Sequence, residues 1–258
     1  MALSFSELRD DAINFARAGG DSTLNFFNKK FALEFKDDQS PVTNADREAE
    51  QIIRDLIRKK YPSHGIIGEE YGPENEEADI VWILDPIDGT KSFIHGVPLF
   101  TTLIGILVEQ IPVVGVIYAP AIDEITAAAK DLGCTFNGKP CQVRECSDLS
   151  KATFLSTNVN SFIDHSLEEP FEEIIRKTRI HRTWGDAYGH MLVATGRADI
   201  MIDPILNIWD AAALMPIVTE AAGSYTDLYG VSSIETGSAL STNSVLSPQI
   251  ISLIEKYR

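Results

Sequence analysis

The stretch WILDPIDGTKSFIHG, residues 82–96, sets two acids at the end of a predicted buried strand. The apolar run at 80–84 ends in Asp85, and Asp88 follows three residues later. Two carboxylates this close repel each other unless a cation neutralises them. Because the ligands are all oxygens, the pattern favours Mg²⁺, Mn²⁺ or Ca²⁺ over zinc.

Gly89 and Thr90 follow the second acid at a predicted helix start. The backbone N–H groups of such a start suit a phosphate. Metal-binding acids beside an anion site indicate metal-assisted phosphoryl chemistry. Solvated acids at a strand end are the weaker explanation here, since the two carboxylates would repel each other.

Further acids stand where apolar elements begin or end. Glu69 and Glu70 follow the apolar pair at 66–67. Asp46 lies in the first turn of one predicted helix, and Asp210 opens another. Such ends carry the site residues of many α/β proteins. Taken alone, however, Asp46 and Asp210 are better explained as ordinary acids at helix N-termini.

Composition and charge exclude several classes of partner and site. The chain has 258 residues, 44% of them hydrophobic, and a net charge of −16. This charge argues against nucleic acid, which requires basic patches. Three cysteines without CxxC spacing predict neither a zinc site nor a disulfide framework. Without a signal peptide or a membrane-spanning apolar run, we expect a cytoplasmic protein that binds no membrane.

Apolar periodicity in the first half predicts helices followed by strands. One helix is expected at 5–29, and a second is expected from about residue 45, capped by Thr43 and ended by Pro62. Strands are predicted at 65–68, 80–84, 100–109, 112–119 and 124–129. Asn137-Gly138 predicts a hairpin turn.

The second half alternates between the two kinds of element, which predicts an α/β fold. Strands are expected at 153–157, 179–183 and 198–202, and helices at 167–178, 186–196 and 208–222. A last helix is expected from Ser247-Pro248, with the serine as its cap. Because no linker separates the halves, we expect a single domain, 1–258, with subdomains at about 1–149 and 150–258.

Three blocks of the sequence resemble the signatures of a known family. They are Gly68-Glu69-Glu70, Asp85-Pro86-Ile87-Asp88-Gly89-Thr90 and Trp209-Asp210-Ala211-Ala212. In this order they resemble the blocks of the inositol monophosphatase-like, magnesium-dependent phosphatases, and the likeness runs from about residue 5 to residue 255. It implies that family's α/β fold, a five-layer αβαβα sandwich, and a homodimer. Ala222 departs from the family's Glu-Ala-Gly-Gly ending, and we expect it to disturb a turn.

The resemblance also implies the metal ligands. Glu69, Asp85 and the backbone carbonyl of Ile87 would hold a first Mg²⁺ ion. Asp85, Asp88 and Asp210 would hold a second. A third, weaker ion would lie near Glu69 through waters, which makes two to three ions per subunit.

The same resemblance implies the catalytic groups of a phosphoric monoester hydrolase. Thr90, paired with Asp46, would orient and deprotonate the attacking water, with Glu69 also in a catalytic role. The N–H groups of Gly89 and Thr90 would bind phosphate oxygens. In-line attack without a covalent intermediate would follow.

Two acids are expected to recognise the leaving group. They are Asp203, seven residues before Asp210, and Asp186, where inositol-specific members usually carry serine. Two carboxylates favour a cationic alcohol, and WGDAYGH, residues 184–190, resembles the histidinol-phosphate phosphatase branch. The predicted reaction is hydrolysis of L-histidinol phosphate to L-histidinol and phosphate, in histidine biosynthesis. Asp88 and Asp210 are also expected to contact the substrate.

Alternatives remain open. The chain could instead be an inositol-1-monophosphatase or a broad-specificity phosphatase of the same family. A non-catalytic binding protein with this fold ranks low, because the metal acids and the water-activating pair are all present. Asp186 is alternatively the N-cap of its helix. Tyr188 and His190 are expected to pack, because one face of that helix must be buried.

Overall fold

Two large β-sheets and the helices that cover them build the fold. The computed structural model describes residues 4–29, 33–35 and 41–258. Its helices are α1 (Phe5–Thr23), α2 (Asn44–Lys60), α3 (Thr90–Ile94), α4 (Val159–Asp164), α5 (Glu168–Lys177), α6 (Ala187–Ala194), α7 (Ile208–Glu220) and α8 (Ser247–Glu255). Its strands are β1 (Leu33–Phe35), β2 (Pro41–Thr43), β3 (Gly65–Gly68), β4 (Gly72–Glu74), β5 (Ile80–Asp88), β6 (Thr101–Val108), β7 (Ile111–Ala119), β8 (Glu124–Ala129), β9 (Cys134–Phe136), β10 (Lys139–Cys141), β11 (Thr153–Ser156), β12 (Ile180–Arg182), β13 (Ile200–Asp203), β14 (Gly223–Thr226) and β15 (Ala239–Asn243).

The first large sheet has eight strands in the order β10-β9-β8-β7-β6-β5-β3-β4. Within it, β3 runs parallel to β5, and the other neighbours are antiparallel. The carboxyl ends of parallel strands meet at the same edge of a sheet. This topology brings Glu69, which follows β3, next to the acids of β5.

Side chains of β5 alternate between two layers. Trp82 and Leu84 pack with α1 and α2, whereas Val81 and Ile83 pack with α7. Successive residues of a strand point to opposite faces, so an unbroken apolar run means that both faces are covered. The predicted buried strand is therefore confirmed, and it continues to Asp88.

The first helix is shorter than predicted. Its expected range was 5–29, but α1 ends at Thr23. Beyond that point N–H groups bond three residues back, as Asn25 N does to Ser22 O at 3.1 Å. Asn28 has a φ of +59°, which cannot continue a right-handed helix. The side chain of Thr43, the expected cap of α2, lies outside the described part of the structure.

The second large sheet has the strand order β12-β11-β13-β15-β14. β11 is parallel to β12 and β13, whereas β15 is antiparallel to both of its neighbours. The α/β alternation predicted for this half is confirmed. The last two strands, GSYT and ALSTN, were not predicted, because they contain Gly, Ala and Asn, which are depleted in strands.

Helices separate and cover the two sheets. Met191 of α6 and Ile217 of α7 share one buried cluster with Ile117 of the first sheet and Met201 of the second. The helices α1 and α2 cover the outer face of the first sheet, and α5 and α8 cover that of the second. The predicted five-layer αβαβα sandwich is confirmed.

The middle helix α7 approaches the first sheet closely. Gly105 and Gly115 are paired across β6 and β7. A Cβ on Gly105 would lie 2.7 Å from Ala212, and one on Gly115 would lie 2.2 Å from the carbonyl oxygen of Ala213. Only glycine admits a helix backbone at such distances. This contact fixes α7, and with it Asp210 in the first turn, against the sheet.

Other local predictions had mixed outcomes. The turn at Asn137-Gly138 is confirmed, with φ values of +48° and +76° between β9 and β10. The last helix begins at Ser247 as predicted, but the capping role is wrong. Leu246 occupies the cap position, and the hydroxyl of Ser247 bonds that of Ser224 at 3.1 Å.

The predicted subdomain boundary near residue 150 stays a prediction. The first large sheet ends at Cys141, and the second begins at Thr153. Within the described ranges, every helix is too short or too polar to cross a lipid bilayer.

Candidate active site

A β-bulge brings the two acids of β5 to one side. Asp85 is paired with Leu103 and Asp88 with Thr101, so β5 holds one more residue than β6 between these pairs. An extra residue reverses the alternation of side chains along a strand. Thr102 Oγ1 donates to the carbonyl oxygen of Pro86 at 2.8 Å and fixes the bulge. Asp88 thereby joins Asp85 on the same side of the sheet.

Asp210 completes a cluster of three carboxylates. Oxygen atoms of Asp85, Asp88 and Asp210 all lie within 4.8 Å of one another. Asp210 sits in the first turn of α7, where its Oδ2 accepts the backbone N–H of Asn207 at 2.7 Å. This set of hard oxygen donors is suited to a divalent cation.

Electrostatics also favour a cation here. Burial, followed by the charges of Glu69 and Asp88, raises the pKa of Asp85 well above its usual range. Burial likewise raises the pKa of Asp210 to about 6. Among the described residues, none bonds the buried Oδ1 of Asp85. A buried carboxylate oxygen without a partner is costly, so a metal ion fits this cluster.

Glu69 is held in place by a buried residue that the sequence reasoning missed. The N–H of Glu69 donates to Leu84 O at 3.1 Å. The next N–H, that of Glu70, donates to Glu50 Oε2 at 2.8 Å. Glu50 is fully buried and accepts a hydrogen bond from Arg54 Nε at 2.7 Å. The available signal was the Glu-Arg pair four residues apart on the apolar face of α2.

Gly89 forms the turn between β5 and α3. Its φ is +83°, which favours glycine, and it is the cap residue of the helix that begins at Thr90. A Cβ here would lie 2.9 Å from Asp186 Oδ2. Thr90 Oγ1 donates to the carbonyl oxygen of Ile87 at 3.0 Å. The predicted helix start is confirmed, and Gly89 and Thr90 line the same cavity as the acids.

Asp186 lies beside this turn, at the start of α6. It occupies the cap position, but its side chain makes no capping hydrogen bond, so the cap interpretation of its carboxylate is wrong. Burial, followed by the charges of Asp203 and Asp210, raises its pKa to about 7. A carboxylate that is not used within its own helix is available to a ligand.

Asp203 ends β13 and meets His190. His190 Nε2 lies 3.1 Å from Asp203 Oδ2, and both side chains are buried. Tyr188 packs as predicted, with its hydroxyl donating to Glu124 at 3.2 Å. His190 is buried as predicted too, but sequence reasoning missed its contact with Asp203. No periodic signal links the two residues, since they lie on different elements.

The predicted site residues converge on one cavity of about 270 Å³. Those that line it are Glu69, Asp85, Ile87, Asp88, Gly89, Thr90, Asp186, Asp203 and Asp210. Asp46 is buried in the first turn of α2. Its pairing with Thr90 stays a prediction, as do the individual roles of the other residues.

Comparisons with known proteins agree with this geometry. The model of the inositol monophosphatase family matches residues 5–258. A histidinol-phosphatase from Chlorobaculum parvum is 40% identical over 245 residues, covering 94% of this chain and 95% of that protein. A histidinol-phosphatase from Mycobacterium tuberculosis is 35% identical over 224 residues, covering 85% and 86%.

Solved structures agree as well. An inositol monophosphatase from Zymomonas mobilis superposes with a TM-score of 0.87 at 32% identity, covering 98% of this chain and 99% of that one. A match that spans nearly the whole chain in both sequence and structure covers both sheets and the acidic cavity. The chain belongs to the inositol monophosphatase family.

Proposed function

We propose that this chain is a Mg²⁺-dependent phosphomonoesterase that hydrolyses L-histidinol phosphate to L-histidinol and phosphate. The observation that carries the proposal is a cavity lined by two further aspartates besides the carboxylate cluster. Asp85, Asp88 and Asp210 form the carboxylate cluster, and Asp186 and Asp203 line the same cavity. The similarity to histidinol-phosphatases from two bacteria supports the choice of substrate.

Two to three Mg²⁺ ions would be held by the five residues expected from the family pattern, namely Glu69, Asp85, Ile87 through its carbonyl, Asp88 and Asp210. When bound, the ions would supply Lewis-acid neutralisation of the charge on the phosphate ester. Glu69 follows β3, Asp85 and Asp88 belong to β5, and Asp210 lies in α7. The site therefore depends on the packing of α7 against the first sheet.

The phosphate and the water would be handled by the turn after β5. The N–H groups of Gly89 and Thr90 bind phosphate oxygens in this proposal. Thr90 and Asp46 take a proton from water as its oxygen bonds to phosphorus. The bond from phosphorus to the alcohol oxygen breaks in the same in-line displacement, and the leaving oxygen regains a proton. Glu69 orients the water.

The alcohol would be recognised by charge. Histidinol carries an ammonium group and an imidazole, and both can donate hydrogen bonds to carboxylates. Charge-assisted hydrogen bonds to Asp186 and Asp203 would be stronger than those from a neutral sugar. Burial, followed by repulsion from Asp203 and Asp210, raises the pKa of Asp186, and a bound cation would relieve that repulsion.

The second candidate is an inositol-1-monophosphatase, or a broad phosphatase acting at the same site. The inositol monophosphatase from Zymomonas mobilis, which shares the fold at 32% identity, favours this candidate. A carboxylate such as Asp203 can accept hydrogen bonds from sugar hydroxyls. The two candidates therefore differ in the leaving group and not in the chemistry.

Comparing the two esters tests the proposal. We expect kcat/KM for histidinol phosphate to exceed that for inositol 1-phosphate by about 10- to 100-fold, the range that charged hydrogen bonds provide. Phosphate release should stop in EDTA and return with Mg²⁺. A preference for the inositol ester would select the second candidate, and release that survives EDTA would refute the metal mechanism.

The family resemblance also leads us to propose a homodimer. A closed two-fold dimer is the commonest state of soluble oligomers. Light scattering coupled to gel filtration measures the mass directly, and a monomeric mass near 28.4 kDa would refute this part of the proposal.

A further inference from the structure

A buried chain of hydrogen bonds lies behind the acidic wall of the cavity. Ser241 Oγ lies 2.7 Å from His190 Nδ1, and His190 Nε2 lies 3.1 Å from Asp203 Oδ2. Ser241 and His190 are fully buried, and Asp203 is 4% exposed. The three residues come from β15, α6 and β13, so these hydrogen bonds tie α6 to the second sheet.

Strand register explains why these residues meet. Met201 is paired with Ser241, and Asp203 is paired with Ala239, on neighbouring antiparallel strands. Residues two apart on a strand share a face. Asp203 and Ser241 therefore both face the middle layer, where Met201 and Ala239 pack with α6. His190 of that helix bridges them.

The direction of the hydrogen bonds follows from their chemistry. An ionised carboxylate only accepts, so Nε2 of His190 carries the hydrogen that it donates to Asp203. In the neutral ring Nδ1 then accepts from the hydroxyl of Ser241. Oδ2 of Asp203 is thus held from behind, which leaves Oδ1 for a ligand in the cavity.

From this geometry we propose that His190 is a positioning residue for substrate selectivity, holding Asp203 in the orientation that receives the cationic part of the alcohol. This inference rests on the proposed function, because it assigns Asp203 to the leaving group. His190 is not among the described residues that line the cavity, and its two ring nitrogens contact Ser241 and Asp203. Its loss should therefore weaken binding of the alcohol and leave the phosphate end unchanged.

Two substitutions at one position separate orientation from packing. His190→Leu fills much of the volume but donates nothing to Asp203. His190→Gln keeps an amide N–H that can reach the carboxylate, so it should rescue much of the loss. Tyr188→Phe is the matched control on the same helix, because it removes only the hydroxyl that bonds Glu124.

The assay uses histidinol phosphate turnover, with inorganic phosphate as a competitive inhibitor. We expect His190→Leu to raise KM by about 10-fold, since it removes a hydrogen bond to a charged group. The kcat value and the Ki for phosphate should stay within about threefold of the values for the unsubstituted protein. The glutamine variant and Tyr188→Phe should stay near the original KM.

Several results would overturn the inference. These are an unchanged KM in the leucine variant, a phosphate Ki that rises in step with KM, or a glutamine variant as impaired as leucine. If the leucine variant does not fold, Ser241→Ala provides the test, because it frees the ring of His190 to rotate and should raise KM in the same selective way. If the unsubstituted protein does not turn over histidinol phosphate, the proposed function itself is refuted before any variant is compared.

Discussion

Asp88 Oδ2 accepts the backbone N–H of Ala187 at 2.7 Å, which joins the carboxylate cluster to the start of α6. The same oxygen accepts from Thr101 Oγ1 at 3.0 Å. Asp186, the residue before Ala187, lines the same cavity as Asp88. This hydrogen bond therefore fixes the distance between the proposed metal site and the proposed alcohol site.

Asp88→Asn should abolish activity without breaking this connection. An asparagine keeps one side-chain oxygen for Ala187 but loses the negative charge that a metal needs. We expect Mg²⁺-dependent phosphate release to fall by more than about 100-fold. This loss exceeds the one expected when a residue that only supports a metal ligand is changed. The thermal midpoint in EDTA should rise, because burial and repulsion from Asp186 and Asp210 raise the pKa of Asp88.

Glu76→Gln is the control for Asp88→Asn, since it removes one negative charge at an exposed position. It should change neither phosphate release nor the thermal midpoint. Retained turnover in Asp88→Asn would contradict a role for this carboxylate in metal binding.

Stability of the metal-free protein should fall as pH rises. The pKa of Asp186 is raised to about 7 and that of Asp210 to about 6, mainly by burial. An acid whose pKa is raised on folding binds more protons in the folded state than in the unfolded state between the two values. The free energy of unfolding therefore decreases from about pH 4 to about pH 7.

A bound cation replaces these protons, so stabilisation by Mg²⁺ should grow over the same range. Thermal midpoints in EDTA and in Mg²⁺, measured from about pH 5 to about pH 8, test both statements. We expect the EDTA curve to fall and the gap between the curves to widen. Two parallel curves would show that protons and metal do not compete.

Glu50→Gln should weaken both the fold and the metal site. Glu50 and Arg54 are almost fully buried, and breaking such an ion pair costs about 3 kcal/mol. Because Glu50 also holds the N–H of Glu70, the loop that carries Glu69 should loosen. A loss of about 10-fold in Mg²⁺ affinity is expected from this second effect.

Denaturant unfolding and the Mg²⁺ dependence of turnover measure the two effects of Glu50→Gln. Asp55→Asn on the same helix is the control, since it removes the charge of an exposed carboxylate that contacts Gln51 and Arg58 and should cost less than about 1 kcal/mol. If the Glu50 variant is less stable but binds Mg²⁺ with unchanged affinity, the ion pair does not influence the proposed metal site.

Much of the site was predictable because it is local in sequence. The acids of the Asp85–Thr90 segment follow an apolar run, and parallel pairing of β3 with β5 brings Glu69 to the same edge. The bulge that turns Asp88 toward Asp85 was not predictable. It depends on pairing with β6, which no periodic pattern within β5 encodes.

The contacts behind the site were beyond prediction for a related reason. His190 and Ser241 are 51 residues apart, and they meet only because β15 pairs with β13. That strand was itself missed. A single histidine in an apolar helix predicts only a residue packed in the core, and His190 is indeed buried. Its carboxylate partner becomes apparent only once the strand register is known.

Asp186→Ser should shift selectivity between the two esters. Serine keeps a hydrogen-bonding group but removes the charge that would attract an ammonium or imidazole. We expect the ratio of kcat/KM, histidinol phosphate over inositol 1-phosphate, to fall by about 10-fold. Asp186→Asn, which keeps the size of the side chain, should show a similar fall. Equal losses for both esters would leave Asp186 without a role in selectivity.

Ala222→Gly should stabilise the protein without affecting its chemistry. Ala222 is exposed in the turn between α7 and β14, and its φ is +60°, a left-handed conformation that strains a Cβ. Glycine relieves this strain, and because no packing is lost, the free energy of unfolding should rise by about 0.5–1 kcal/mol. Ala222→Val, which is β-branched, should instead lower it. Denaturant unfolding measures both changes, and kcat/KM should stay constant, because this turn follows the end of α7 that lies opposite Asp210. A glycine variant that is less stable than the original would mean that the strain is relieved elsewhere in the turn.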